Sequence, residues 1–414
     1  MIKVPQEISL TSVDELIDKV NQNEDEELQF PRRIDQRSIL ASAAYIQFLL
    51  TWAQRSSTRK IQFTVGSKEE CMFLPKAAET LIPILLGKVV SILSTQTAQP
   101  IQIDLPKARE EGLNTFAPVQ GVAIQQNLFG PDEPEFSDLP RKGPKVHLLM
   151  SDADFRHGFS HWFYTGSQDS RQLRDAGDLA SLVRTALELL RNHSTKKFGS
   201  WTEGLPEIMG DMLFELIDNT HKWGCSNLKR EPIKSLRGVL FDVKFDYPGN
   251  RTRVADIAVD IPLISEFIGY HQQSKPDLGL LEMSVFDGGI GLSARELERQ
   301  GNQNPTIEKE YEAALACLRK RGTTSGQPGR GLGLDRVLDL AAKRKGFVYL
   351  RTGRLILYRD FANHPASFDE TASNATAFEK HILNDRTTQS SVPTTHSSVV
   401  GTLFTVILPF NAAP

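Results

Sequence analysis

Glu215 and Asn219 stand four residues apart in the stretch Glu215-Leu-Ile-Asp-Asn219. On a helix that spacing puts both side chains on one face. The Asn219 amide oxygen is a neutral hard donor suited to Mg2+, an ion that keeps waters and takes substrate phosphates rather than a full protein cage. A carboxylate one turn away, Glu215, can orient or deprotonate a water. Lys222, three residues further on, reaches phosphate oxygens as a point charge. Taken alone the pair also describes an amphipathic helix whose polar residues face water, and that reading is the commoner one.

Two glycine bunches add to it. In Asp287-Gly-Gly289-Ile-Gly291 the carboxylate is placed to accept a hydrogen bond from an exocyclic amine such as that of adenine. The glycines let the backbone pass close to a ligand or adopt positive φ. The competing reading is a plain turn after a strand, with Asp as turn former. The second bunch, Gly329-Arg330-Gly331-Leu-Gly333, precedes a helix, and helix N-termini suit phosphate. It is not a Rossmann fingerprint, because no strand leads into it, nor a P-loop, because no Gly-Lys-Ser/Thr follows. Together the bunches point to a loop-built pocket for a phosphorylated ligand.

These residues need elements to hold them. Residues 206–223 have a broad apolar helical face, and Gly224 reads as the glycine after its end. Residues 280–286 read as a strand running into the first glycine bunch. Residues 334–344 read as the helix after the second, 308–320 as another helix, and 238–247 as a strand. Residues 347–351 and 354–358 form a hairpin around Thr352-Gly353, and 403–408 a closing strand. Upstream, 12–21 reads as a helix opened by Ser12 with Glu15 three residues on. Residues 38–54 and 77–94 read as apolar helices, with strands at 60–65, 101–105 and 146–150. Residues 127–145 form a Pro-rich connector, and 171–192 a long helix. The Ser/Thr-rich stretch 384–398 reads as a flexible excursion.

The expected fold class is α/β (α+β): an N-terminal α/β domain over 1–150 that senses a signal or binds a partner, a helical connector over 151–199, and a second domain over 200–414 that carries the glycine bunches. The chain has 414 residues and a net charge of −3, so no global charge drives it toward nucleic acid or an anionic membrane. Its cysteines, Cys71, Cys225 and Cys317, are scattered and lack metal spacing. The N-terminus carries no signal-peptide pattern and no apolar run is long enough to span a bilayer, so the expectation is cytoplasmic, without a membrane contact.

The order of the pieces carries a resemblance. Helix ExxxN, strand-DxGxG, a loop, GxGLGL-helix and a final Gly401-Thr402-Leu-Phe404 strand closely resemble the GHKL superfamily of ATPases, the Bergerat fold of histidine kinases, Hsp90, gyrase and MutL. The resemblance covers about residues 200–414 and implies there an ATP-binding domain whose mixed sheet is covered by helices. It implies ATP and Mg2+ as ligands, with Glu215 activating the hydrolytic water, Asn219 holding Mg2+ and Lys222 touching phosphate. It implies Asp287 on the adenine amino group, with Gly289 and Gly291 beneath the base and Thr402 supporting that contact. Gly329, Arg330, Gly331 and Gly333 would line the triphosphate, and the stretch from Lys320 to Gly326 would be a mobile lid. One departure is the long segment between Asn219 and Asp287, where an extra strand or helix is expected within 252–277.

Within that superfamily, a histidine autokinase needs a phosphoacceptor His followed by an acidic residue, and His157, His161 and His193 do not fit. Gyrase-, MutL- and Hsp90-like machines carry the ATPase first, whereas here it comes last. The remaining expectation is a hydrolysing ATPase switch that controls an unidentified protein partner, in bacterial signalling or defence. The alternatives are a histidine or anti-sigma-like serine kinase and a nucleotide-gated binding module without turnover. A STAS-like N-terminal pattern and a homodimer through the 171–192 helix complete the expectations, the latter set against packing of that helix on its own domain.

Overall fold

A computed structural model describes residues 1–31, 34–35, 38–63, 91–94, 105, 109, 141–142, 145–151, 161–166, 172–193, 204–245, 261–274, 278–302, 304–319, 333–366 and 380–411. The N-terminal part carries β1 (Ile2–Lys3), α1 (Leu10–Gln22), β2 (Leu28–Phe30), α2 (Ala41–Arg55), β3 (Lys60–Phe63) and β4 (Ser91–Ser94). Its four strands form a parallel sheet in the order β1-β2-β3-β4. There follow β5 (Arg141–Lys142), β6 (Lys145–Ser151), the small pair β7 (Tyr164–Thr165) and β8 (Gln172–Leu173), α3 (Ala176–His193) and α4 (Leu205–Trp223). Next come β9 (Leu236–Phe245), α5 (Pro262–Gln272), β10 (Leu278–Asp287), α6 (Ala294–Arg299), α7 (Ile307–Leu318) and α8 (Gly333–Lys343). The chain closes with β11 (Phe347–Gly353), β12 (Leu355–Asp360), β13 (Asn384–Asp385) and β14 (Val399–Asn411).

The main sheet has eight strands in the order β13-β12-β11-β14-β10-β9-β6-β5. Every residue of the central strand β10 is buried, as expected of a strand covered on both faces. Side chains alternate across a strand. Leu281, Met283 and Val285 accordingly join a core with Leu182, Leu213, Leu315 and Val337 of α3, α4, α7 and α8. Leu278, Leu280 and Phe286 join the other core, with Leu16 of α1, Phe48 of α2 and Phe267 of α5. Helix α2 is buried from Ala41 through Ala53. A helix apolar all round is one that is covered on every side.

One polar island interrupts the second core. Glu282 and Asp242 are cross-strand neighbours, and both are buried with Lys244 and Lys145. Lys244 pairs with Asp242 at 2.8 Å, the Leu40 N–H donates to Glu282 at 3.2 Å, and Lys145 donates to Ser42. Burial, followed by repulsion from Asp242, pushes the Glu282 carboxyl up to about 7 against the pull of Lys244 and Lys145.

Several expectations change. The chain is of the mixed α/β, α+β class, but the eight-stranded sheet is antiparallel at each junction rather than mixed. The parallel pairs lie in the N-terminal sheet. Strands β5 and β6, from the expected N-terminal domain, complete the main sheet, so boundaries at 150 and 200 cut through it. The helix expected at 171–192 starts only at Ala176, after β8, and packs its Leu179, Leu182, Val183 and Leu187 inside the chain. That is the alternative weighed against dimerisation. Of the helix expected over 77–94, residues 91–94 are strand β4 and the others lie outside the described residues, and Leu105, expected in a strand, is helical. The α1 capping box is Ser9 with Ser12, three residues earlier than read. The segment at 384–398 is held together, because Asp385 accepts bonds from Thr387, Thr388 and Thr394 N–H groups. The extra element expected within 252–277 is α5 where it is described. Among the described residues no helix is long and apolar enough to cross a membrane.

Candidate functional site

Helix α4 starts with Pro206 in its first turn and buries Met209, Met212, Leu213, Leu216, Ile217 and Thr220. That stripe turns Glu215, Asp218, Asn219 and Lys222 to another side, where all four are half-buried. The N-terminus of α8 arrives at this side. A Cβ added to Gly333 would lie 2.9 Å from Glu215 Oε2 and 3.8 Å from Asn219 Nδ2. Arg336 of α8 pairs with Asp211 of α4, which fixes the two helices together. Burial raises the Glu215 carboxyl above its ordinary range. Asp218 and Asp211 push the same way, while Arg336 and Lys222 oppose them. Lys222 is held by Asp218 one turn back.

The C-terminal end of α4 meets the turn after β10. Asp287 is buried, and its Oδ1 accepts the Gly289 N–H at 2.8 Å. A Cβ on Gly224 would fall 2.6 Å from the Asp287 Cβ. Gly224 has φ −81°, so the glycine serves close approach to Asp287 and not the left-handed helix stop read from sequence. Ser235 ties the pieces: its hydroxyl donates to the Gly224 carbonyl at 2.8 Å and accepts the Gly288 N–H at 3.2 Å.

Strands β14 and β11 close the far side. Thr402 is the ladder partner of Asp287. Gly401 has φ +70°, and a Cβ there would sit 1.8 Å from the Asp287 carbonyl oxygen. Thr352 Oγ1 accepts the Leu292 N–H at 2.8 Å and lies 3.4 Å from Thr402 Oγ1. It also flanks Gly291, where an added Cβ would be 3.0 Å away.

The structure thus groups Glu215, Asn219 and Gly333 along the C-terminal half of α4, and Asp287, Gly289, Gly291 and Thr402 at its C-terminal end. Gly224 comes nine positions after Glu215 and five after Asn219, so it lies about 13 Å from the first and about 7.5 Å from the second along the axis. Gly329, Arg330, Gly331 and the stretch 320–326 lie outside the described residues. Sequence reasoning missed Ser235 as a stitch and Thr352 as a flank. The sequence marks Thr352 only as a hairpin-turn residue, and nothing in its neighbours signals more. Among the described residues no group of three or more His, Cys, Asp or Glu is placed to cage a metal ion. Comparison with protein-family models, curated proteins and solved structures finds no match to this chain.

Proposed function

We propose that the chain is a cytosolic ATPase of the GHKL type, in which a Bergerat-like layer binds ATP and uses its turnover to control a protein partner. The observation that carries this reading is the pair of groups set along the C-terminal half of α4. A carboxylate and an amide in its C-terminal half meet the N-terminus of α8, and a buried carboxylate sits in a glycine turn at its C-terminal end. The separation suits an extended nucleoside triphosphate lying along the helix, with its base toward Asp287 and its phosphates toward Gly333.

In this reading Asp287 accepts from the exocyclic amine of adenine, with Gly289, Gly291 and Thr402 around it. The free N–H groups at the start of α8 face the phosphates, together with Gly329, Arg330 and Gly331. Asn219 offers one neutral amide oxygen, a donor set that fits Mg2+ with its waters and phosphate oxygens. When bound, that ion neutralises charge on the phosphates. Glu215 takes the proton of the attacking water, and its raised pKa makes it a better base than an ordinary carboxylate. Lys222 stands one turn on, and reaching phosphate requires it to leave Asp218.

Glu215→Ala tests the assignment. It should retain ATP binding by isothermal titration while steady-state phosphate release falls by about 100-fold or more, the scale of one lost general base. Undiminished release from that variant removes Glu215 from the role. Transfer of labelled phosphate onto the protein, stable to alkali and labile to acid, would replace hydrolysis with a histidine-kinase reaction.

A further inference from the structure

Helix α2 belongs to the N-terminal part of the chain, yet it touches the strand ends that build the Asp287 end of the site. Three of its polar side chains, Gln47, Thr51 and Gln54, follow one another at helical spacing and so form one stripe. Each bonds to main chain of a different strand or turn. Gln47 Nε2 donates to the Arg351 carbonyl at 3.2 Å. Thr51 Oγ1 accepts the Val400 N–H at 3.1 Å. Gln54 Nε2 donates to the Gly288 carbonyl at 2.7 Å. The three anchor points are the immediate neighbours of Thr352, Gly401 and Asp287. Gln47 and Thr51 are fully buried; among the described residues Gln47 Oε1 has no hydrogen-bond partner, and breaking the Nε2 or the Thr51 bond would strand a further buried polar group, which is costly.

We infer that the Gln47-Thr51-Gln54 stripe positions the base end of the nucleotide site, so that the N-terminal part of the chain sets nucleotide affinity. The inference rests on the nucleotide reading above. These residues act from behind the site, through the backbone on either side of it. They are positioning residues and touch no substrate. A shift of α2 moves the Asp287 turn, β11 and β14 together, because one rigid helix holds all three. Among the described residues the Glu215–Asn219–Gly333 group, built by α4 and α8 on the opposite face of the sheet, has no such tie.

The test uses the full chain with three probes: ATP, ADP and inorganic tripolyphosphate. Gln54→Met keeps the length and removes the donor. Thr51→Val keeps the shape and removes the acceptor, and Thr51→Ser restores it. Each of the first two should weaken ATP and ADP binding by about tenfold, the scale of one lost buried hydrogen bond. The KM for ATP should rise in step, kcat at saturation should stay, and tripolyphosphate binding should be unchanged. Thr51→Ser should return the affinity to that of the wild type. A lowered Tm with nucleotide affinity unchanged would reduce the stripe to a packing role and overturn the inference, as would equal weakening of all three probes. Should Thr51→Val not fold, Gln54→Met at its half-exposed site decides the matter. Absence of ATP binding by the wild-type chain would sink the nucleotide reading and this role with it, whereas wild-type binding with unaltered variants would sink this role alone.

Discussion

Gly401 and Gly301 form a matched pair for measuring what the Asp287 corner requires of its neighbour. Both are left-handed, with φ +70° and +72°. Alanine at either position costs about 1–2 kcal/mol for the left-handed backbone. At Gly301 nothing lies within 4 Å of the added Cβ, so the loss should end there. At Gly401 the Cβ would come 1.8 Å from the Asp287 carbonyl oxygen and 2.6 Å from its carbon. Those are main-chain atoms in a paired ladder, and no side-chain rotation relieves the overlap. Strands β10 and β14 must separate locally, which adds about 1–3 kcal/mol as an overpacked core does. The expected loss for Gly401→Ala is then about 2–5 kcal/mol. Urea unfolding of both variants gives the two values. ATP titration should show Gly401→Ala weakened by at least about tenfold and Gly301→Ala unaltered. Equal stability losses, or intact ATP affinity in Gly401→Ala, would refute the account of this corner.

Other outcomes follow from the charged groups. Because the Glu215 carboxyl is raised and must be ionised to take a proton, hydrolysis should fall on the acid side with a midpoint above 4.5. Arg336→Gln removes a charge that lowers it and should move that midpoint to higher pH in a pH–rate profile. Asp287→Asn replaces an acceptor oxygen by a donor at the amine contact. It should weaken ATP binding by roughly 1–3 kcal/mol in calorimetry, and unchanged affinity would defeat the assignment. Glu282 is protonated more readily in the fold than in the unfolded chain. Its contribution to stability is therefore full below about 4.5 and is lost as pH rises to about 7, a change of roughly 3 kcal/mol. Glu282→Gln keeps an acceptor for the Leu40 N–H and should flatten this part of the stability–pH curve, which chemical denaturation at pH 5 and 8 reads directly.

What could be read from the sequence follows the physics of each signal. The apolar stripe of α4 and the apolar run of β10 announce themselves by period, and the helix and strand lie within two residues of where they were expected. The ladder of β14 against β10 was not visible, because pairing depends on residues more than a hundred positions apart. Gly224 was noticed for the wrong reason: a glycine after a helix signals a left-handed stop, whereas this one makes room for Asp287. The 384–398 stretch misled because Ser and Thr have the same composition in a solvated tether and in a loop wound around a buried Asp385. The burial of α2 was legible in its all-round apolarity, but not what it would be buried against. Strand β6 looked like part of an N-terminal unit because adjacency in sequence is the default guess. Its partner β9 lies some ninety residues further on.

The completion of the main sheet by β5 and β6, with α2 laid across its other face, bears on how this protein can be dissected. A fragment beginning near residue 200 would carry every motif that suggests ATP chemistry. It would also lack two strands, display a bare greasy surface where α2 belongs, and open β9 as a raw edge ready to recruit other chains. Such a fragment should precipitate or tangle, and whatever enzymology it yielded would describe a wounded molecule.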